Sequence, residues 1–273
     1  MAFNSNDLTI TSLETITGIG LSGDVAGQVL FVLDELQNAT IGQTQDEEEI
    51  TGKQGRRLAT LKRNKAVTVS GTNGLVSGGL MAIQTGGEFE AKESTEVGVT
   101  EYLAVSGNAA TTTNKAVGTA GNEIGFVYVR DTDNTIKATL EQAATAAEGK
   151  FAYDPATKKI TFAEGAIEDG STIVVFYKRN VAGTVLENYS DQYSGKCALY
   201  IDAFAEDKCA NTYRIQFYIP KADFNGEFEI EMGDSQAVHA FEAQSLSGAC
   251  GVGTTGDVLW VYTVFDSDAA DAA

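Results

Sequence analysis

From Leu199 onward, apolar and polar positions alternate with a period of two. Leu199, Ile201 and Ala203 oppose Tyr200, Asp202 and Phe204. Tyr213, Ile215, Phe217 and Ile219 oppose Arg214, Gln216 and Tyr218, up to a stop at Pro220. Phe228, Ile230 and Met232 oppose Glu227, Glu229 and Glu231. Successive side chains of a strand point to opposite faces, so each run predicts a half-buried strand, the last being the clearest. Val238–Ser245 predicts another, and Val258–Phe265, apolar on both faces, predicts a covered one. Near the other end, Leu8–Ile19 alternates loosely, as a strand does. The run Val29–Leu33 fits a buried strand or a helix core; its β-branched and aromatic content favours the strand.

Between these regions the pattern changes twice. Asn38–Gly55 has almost no apolar content and predicts a long exposed loop. Leu58–Gly71 predicts a strand or bent hairpin arm, with Val67 and Val69 opposed to Thr68 and Ser70. A short helix follows over Leu75–Gln84, capped by Thr72 or Asn73. Val76, Leu80 and Ile83 form its apolar stripe, Gly78 and Gly79 permit close approach, and Gly86-Gly87 ends it. Ser106–Asn122 is rich in Thr, Ala, Gly and Asn, like a linker. Short β-rich segments then follow at Gly125–Arg130, Lys150–Asp154, Lys159–Phe162 and Ser171–Lys178. Tyr153–Lys158 reads as a hairpin turn and Leu140–Ala147 as a helical turn. The chain thus divides into a discontinuous core domain, 1–105 with 187–273, and an inserted small β domain, 106–186. No internal repeat is visible.

Composition narrows the function. The chain has 273 residues, 29 glycines, 2 prolines and a net charge of −19. It is long enough to bury a core without covalent staples. The charge speaks against a nucleic-acid binder, which needs Lys and Arg for phosphate contacts, but not against a wall past which DNA slides. Three cysteines, Cys197, Cys209 and Cys250, are too few for a disulfide scaffold and fit synthesis in a reducing cytosol. No signal peptide and no apolar run long enough for a membrane-spanning helix is apparent.

Constellations that carry chemistry are weak. Gly18-Ile19-Gly20-Leu21-Ser22-Gly23 matches G-x-G-x-x-G, yet no βαβ pattern follows, so a turn between strands is the better reading. His239 is the one histidine and has no nucleophile motif beside it; an interface or half-buried histidine fits better than a catalytic base. Glu227, Glu229 and Glu231 share one face of their run, and a solvent- or channel-facing strand explains them better than a metal or glycosidase site. Cys197 and Cys209 are too far apart in sequence for a zinc knuckle. The basic cluster Lys53, Arg56, Arg57, Lys62, Arg63 and Lys65 adjoins the acidic run Asp46, Glu47, Glu48 and Glu49. Complementary pairing between neighbouring subunits is expected of it, rather than phosphate binding. The chain is therefore expected not to be an enzyme and to need no cofactor.

Two blocks, ITGKQGRRLATLKRNKAVTVSGTNGLVSGGLMAIQTGG (Ile50–Gly87) and NTYRIQFYIPKADFNGEFEIEMGDSQAVHAFEAQSLSG (Asn211–Gly248), resemble the core of phage tail tube (major tail) proteins. The resemblance implies a mainly β fold: a tail-tube-like β-sandwich or half-barrel with one flanking helix, here with the inserted domain on the outside. It implies hexameric rings that stack into a tube whose acidic lumen conducts DNA during ejection. Its partners would be copies of itself, other tail proteins at the tube ends and, in some tails, a sheath. Nothing in it implies membrane insertion. Localisation would be the virion, after assembly in the host cytoplasm. On this chain, Asp46, Glu47, Glu48, Glu49, Lys53, Arg56 and Arg57 become candidates for an inter-ring loop. Glu227, Glu229, Glu231 and Lys65 become lumen candidates, and Val76, Leu80 and Ile83 the flanking helix. The alternatives are another virion component, such as a head decoration or tail terminator protein, or a glycan-binding β-sandwich. The last would call for exposed aromatic platforms, whereas Trp260 lies in the most apolar strand.

Overall fold

The computed structural model of the protein describes residues 7–130, 135–230, 238–248 and 257–266. The described chain is mainly β with one α-helix. It forms two compact units: Met1–Phe89 together with Leu186–Ala273, and Glu90–Val185. The composition change at Ser106 thus falls inside the second unit, because the strand before it already belongs to that unit's sheet.

The first unit holds β1 (Thr9–Gly20), β2 (Val29–Leu33), β3 (Leu36–Thr51), β4 (Arg57–Asn73) and α1 (Gly78–Thr85). The second sheet contains β5 (Phe89–Ala104), β6 (Ala109–Thr111), β7 (Phe126–Arg130), β8 (Ile136–Gln142), β9 (Lys150–Asp154), β10 (Lys159–Phe162) and β11 (Thr172–Leu186). The chain then returns to the first unit as β12 (Lys196–Glu206), β13 (Thr212–Phe224), β14 (His239–Ser245) and β15 (Val261–Asp266). The first sheet runs β2-β1-β12-β13-β14-β4-β3, with β15 pairing β13, and curls into a half-barrel. The second runs β5-β11-β7-β8-β9-β10-β6.

One face of the first sheet is the core. Ile16, Val69, Leu199, Ile201, Ile219, Ala222, Phe224, Phe241 and Ala243 are buried there with Phe31, Leu33, Leu80 and Ile83. These are the odd or even members of their strands, as the period of two requires. Pro220 does not end its strand. β13 continues to Phe224, and the register against β12 shifts from Leu199–Ile219 to Cys197–Ala222. Pro220 therefore sits in a bulge. On the other side of β13 it lies between the ladder to β15, which ends at Tyr218, and the ladder to β14, which begins at Ala222. A residue without an N–H is tolerated where no ladder bond is asked of it.

The helix starts later than the sequence suggests. Ser77, not Thr72 or Asn73, is its cap: the Ser77 hydroxyl accepts from the Leu80 N–H at 3.3 Å. Leu80 and Ile83 are buried on the sheet, but Val76 precedes the helix and is exposed. Gly86, at φ 73°, closes it in the left-handed conformation that glycine favours. His239 on β14 clamps this cap and is fully buried. Its Nδ1 accepts from the Ser77 N–H at 3.3 Å, so the proton resides on Nε2, 2.8 Å from Gln84 Oε1. Gln84 in turn donates to the Ala240 carbonyl at 3.1 Å. Burial holds the imidazole pKa below its ordinary 6.5. The unfolded chain therefore takes up the proton first. Stability is full above about pH 6.5 and falls as the pH drops below it. Thermal melts between pH 7.5 and 5.5 should show this slope, and His239→Gln should flatten it.

In the second unit, Phe151, Ile124, Ile160, Ile173, Val127 and Val175 centre a separate core. The linker-like stretch after Ser106 is in fact anchored to it. Thr112 and Ala116 are buried, the Tyr177 hydroxyl accepts from the Asn114 N–H at 3.1 Å, and Tyr153 accepts from the Ala116 N–H at 2.9 Å. Two tyrosine hydroxyls supply the order that composition did not announce. The predicted hairpin turn joins β9 to β10, with Asp154 accepting from Ala156 and Thr157. The predicted helical turn at Leu140 is instead strand β8, paired to β7.

Candidate functional site

Three features are candidates for function: the long hairpin of β3 and β4, the sheet face opposite the core, and the segment after β13.

The stretch expected to be a loop, Asn38–Gly55, is mostly strand. β3 pairs β4 from Leu36–Asn73 out to Thr51–Arg57, and a short 3-10 turn at Lys53–Gly55 joins them. The reason lies across the ladder. Glu49 meets Arg57 at 2.7 Å, Glu47 meets Lys62 at 3.4 Å, Glu48 pairs with Arg63, and Asp46 accepts from Asn64 at 2.9 Å. The charges expected to reach a neighbouring subunit thus find partners within their own hairpin. The acidic side chains of β3 lie across from the basic side chains of β4, which favours the extended pairing of an arm that reaches no core. Each exposed pair contributes only ~0.2–1 kcal/mol. Lys53 and Arg56, at the turn, make no side-chain ion pair or hydrogen bond among the described residues.

The arm has a defined root. Ala66 faces Thr44 but Arg63 faces Asp46, so Asn64 and Lys65 together oppose Gln45. Asn64, at φ 52°, makes a bulge there. β14 pairs β4 only from Asn73 to Val67. Beyond the bulge both edges of the hairpin are unpaired among the described residues, an arrangement that isolated chains avoid and assemblies use. Lys65, a lumen candidate, sits exposed in this bulge at the root of the arm.

The sheet face opposite the core is polar and half-buried. Cross-strand rows place Thr15 beside Asp202 and Gln216, Thr17 beside Tyr200 and Tyr218, and Thr40 beside Ser70 and Glu242. Gln216 donates to Asp202 at 2.9 Å, and the Tyr200 and Tyr218 rings stack at 4.6 Å. Asp202 and Glu242 escaped notice in the sequence because each is one polar residue in an ordinary alternation. Only the lateral register of the strands assembles them.

Glu227 and Glu229 are exposed, but the described residues of their run, up to Ile230, form no ladder strand. They touch β14 through the Ala240 N–H to Glu229 O bond and one bridge from Ile230 to His239, while just before them the Asn225 N–H donates to Glu242 O. Glu231 and Met232 lie outside the described residues. Val258–Phe265, expected to be covered on both faces, leaves Trp260 and Val261 partly exposed. The G-x-G-x-x-G run ends β1, and the Gly20 position is closed by the Val25 carbonyl, where a Cβ would come within 2.0 Å. Burial pushes the Cys197 thiol up to about 12, which makes it inert; Cys209 is exposed and unpaired, and Cys250 lies outside the described residues. Among the described residues no three His, Cys, Asp or Glu side chains converge on a metal site, and no helix is long and apolar enough to cross a membrane.

The first sheet thus carries one apolar and one polar face, and its arm has no strand on either edge among the described residues. The chain belongs to the YomU/Tube protein family, whose model matches residues 14–258. It is a phage tube-like structural protein, and a tube family implies self-assembly into a tube and a place in the virion. No curated protein matches it.

Proposed function

We propose that this chain is the repeating subunit of a phage tail tube, built as stacked, hexameric rings whose channel conducts DNA during ejection. The observation that carries the reading is the β3–β4 arm, extended, unpaired at both edges past the bulge and absent from every apolar core cluster of the described residues. Such an arm has no use in a lone subunit and suits contact with the next ring. The polar face bearing Asp202, Gln216, Ser70 and Glu242 is the better channel lining, because a half-barrel of one copy joins those of its neighbours edge to edge. Carboxylates on that wall offer DNA no release of counterions, so the duplex slides. Glu227 and Glu229 lie off the ladder and line at most its margin. Asp46, Glu47, Glu48 and Glu49 keep the arm straight, leaving Lys53 and Arg56 to make inter-ring contact.

The unit Glu90–Val185 projects from the tube surface in this reading. The protein acts without catalysis or cofactor, assembles in the host cytoplasm, does not insert in membranes, and meets other tail proteins at the tube ends and, in a contractile tail, a sheath. Cryo-electron microscopy of the purified protein tests this. Stacked rings with Asp202 and Glu242 facing the channel are expected. A protein that stays monomeric at high concentration overturns the reading, and a channel lined by the second unit overturns the wall assignment.

A further inference from the structure

Six exposed side chains at the base of the first unit, where β3 begins and β4 ends, form a mixed apolar and acidic patch. Leu75, 57% exposed, and Val76, 46% exposed, lie in the segment before α1, and Phe228 packs against His239, which holds that segment through the Ser77 N–H, with ring centroids 5.8 Å apart. Asp34 and Glu35 immediately precede β3, and Glu229 follows Phe228, all three exposed. The Gly74 N–H donates to the Glu35 carbonyl at 2.7 Å, and the Ala240 N–H to the Glu229 carbonyl at 3.3 Å, so the six lie along one end of the sheet, on either side of Asn73 and His239. The carboxylates of Asp34, Glu35 and Glu229 make no ion pair among the described residues.

The opposite end of the same hairpin is the converse. Lys53 and Arg56 are exposed at the turn without partners among the described residues. Leu58, 68% exposed, folds over Gly52, and Ile50 and Leu61 are exposed beside it. Tip and base are joined by the whole of β4, a separation of about 50 Å at ordinary strand rise. One chain cannot bring them together. A second copy displaced along β4 by about that span presents its base to the tip. The two surfaces match in kind: cations against carboxylates, and aliphatic groups against aliphatic and aromatic ones.

We propose that the Lys53–Arg56 tip of one copy docks on the Leu75–Val76–Phe228 patch of a second copy in the adjacent ring, with Asp34, Glu35 and Glu229 receiving the two cations. This rests on the tube reading and names the receiving surface. The contact is head-to-tail, using different patches on each copy, so it does not close on itself and can propagate without limit. Burying the apolar groups gives affinity, while the charges fix which end meets which.

Carbodiimide coupling of assembled full-length protein, followed by peptide mass spectrometry, tests the proposal directly. It joins a lysine amine to a carboxylate only where the two are in contact. Lys53 should be linked to Asp34, Glu35 or Glu229 in tubes, and not in dilute monomer; the distance within one chain makes every such link intermolecular. A K53E/R56E variant and a D34K/E35K/E229K variant should each raise the concentration needed for tube growth by about tenfold or more. Their equimolar mixture should recover part of that loss, because each supplies the charge that the other lacks. Tubes that form without the Lys53 link, or single variants that grow at the wild-type concentration, overturn this contact and leave the tube reading intact. Wild-type protein that never assembles overturns both.

Discussion

Replacing residues 46–63 with a two-residue Asn-Gly turn should abolish tube formation while leaving the subunit folded and its melting temperature little changed. The replacement joins Gln45 to Asn64, adjacent positions across the bulge, with the turn that suits a tight hairpin. None of the removed residues belongs to a core cluster. What is lost within the subunit is a two-stranded ladder with half-exposed ion pairs, each of ~0.2–1 kcal/mol. That ladder is stable only because the sheet at its root is already formed, so it contributes little in return. Between subunits the loss is complete, since the tip and both free edges disappear together. Thermal melts and negative-stain microscopy of the shortened protein check both halves. Tubes of wild-type length would remove the arm from the assembly mechanism, and a subunit that fails to fold would show that the arm belongs to the core after all.

The second large effect concerns stability. Leu80→Ala should cost ~2–5 kcal/mol, the range for truncating a buried leucine whose site cannot collapse. Leu80 is fully buried and is held against the sheet from two sides: the Ser77 cap fixes its backbone, and the His239–Gln84 pair fixes the turn below. Gly79→Ala should act through the same contact by the opposite route. A Cβ there would stand 2.3 Å from the Leu30 carbonyl oxygen and 2.9 Å from Phe31 Cβ. Backbone cannot rotate away as a side chain can, so the helix must lift from β2, at ~1–3 kcal/mol. Urea denaturation of both variants checks the pair. Wild-type midpoints for either would mean that α1 is not needed to hold β2 on the sheet.

How much of this was legible depends on what each residue's neighbours are. β1, β12, β13 and the β9–β10 hairpin follow from alternation and turn chemistry, because their apolar positions face a core that the strands of each sheet share. The outer part of β3 was illegible by that signal, since residues 42–49 are polar or glycine on both faces, while Leu36, Ala39 and Ile41 nearer its start pack on the core. A fainter signal was present: an acidic run at 46–49 and a basic run at 57–63 lie on either side of a short Gly-containing turn, the spacing that a charge-paired hairpin produces. The run Glu227–Met232 misled in the reverse direction. Its alternation is perfect, yet alternation describes side chains, whereas a strand needs a partner edge. β14 gives one edge to β4 and part of the other to β13, leaving the described residues of this run one backbone bond and one bridge to it.

By itself the sequence determined the class of architecture, the two faces of each core strand, the end of the helix at Gly86 and the resemblance to tube proteins. These rest on local propensity and on periodicities of a few residues, which neighbouring positions carry on their own. Only the tertiary structure decided that the arm is a strand, that Asp202 and Glu242 share the sheet face opposite the core, that Val76 leaves the helix for the surface, and that His239 is a buried neutral clamp. Each of these depends on which distant strand supplies the opposite hydrogen bond or the covering side chain, and that choice is settled by the register of the whole sheet.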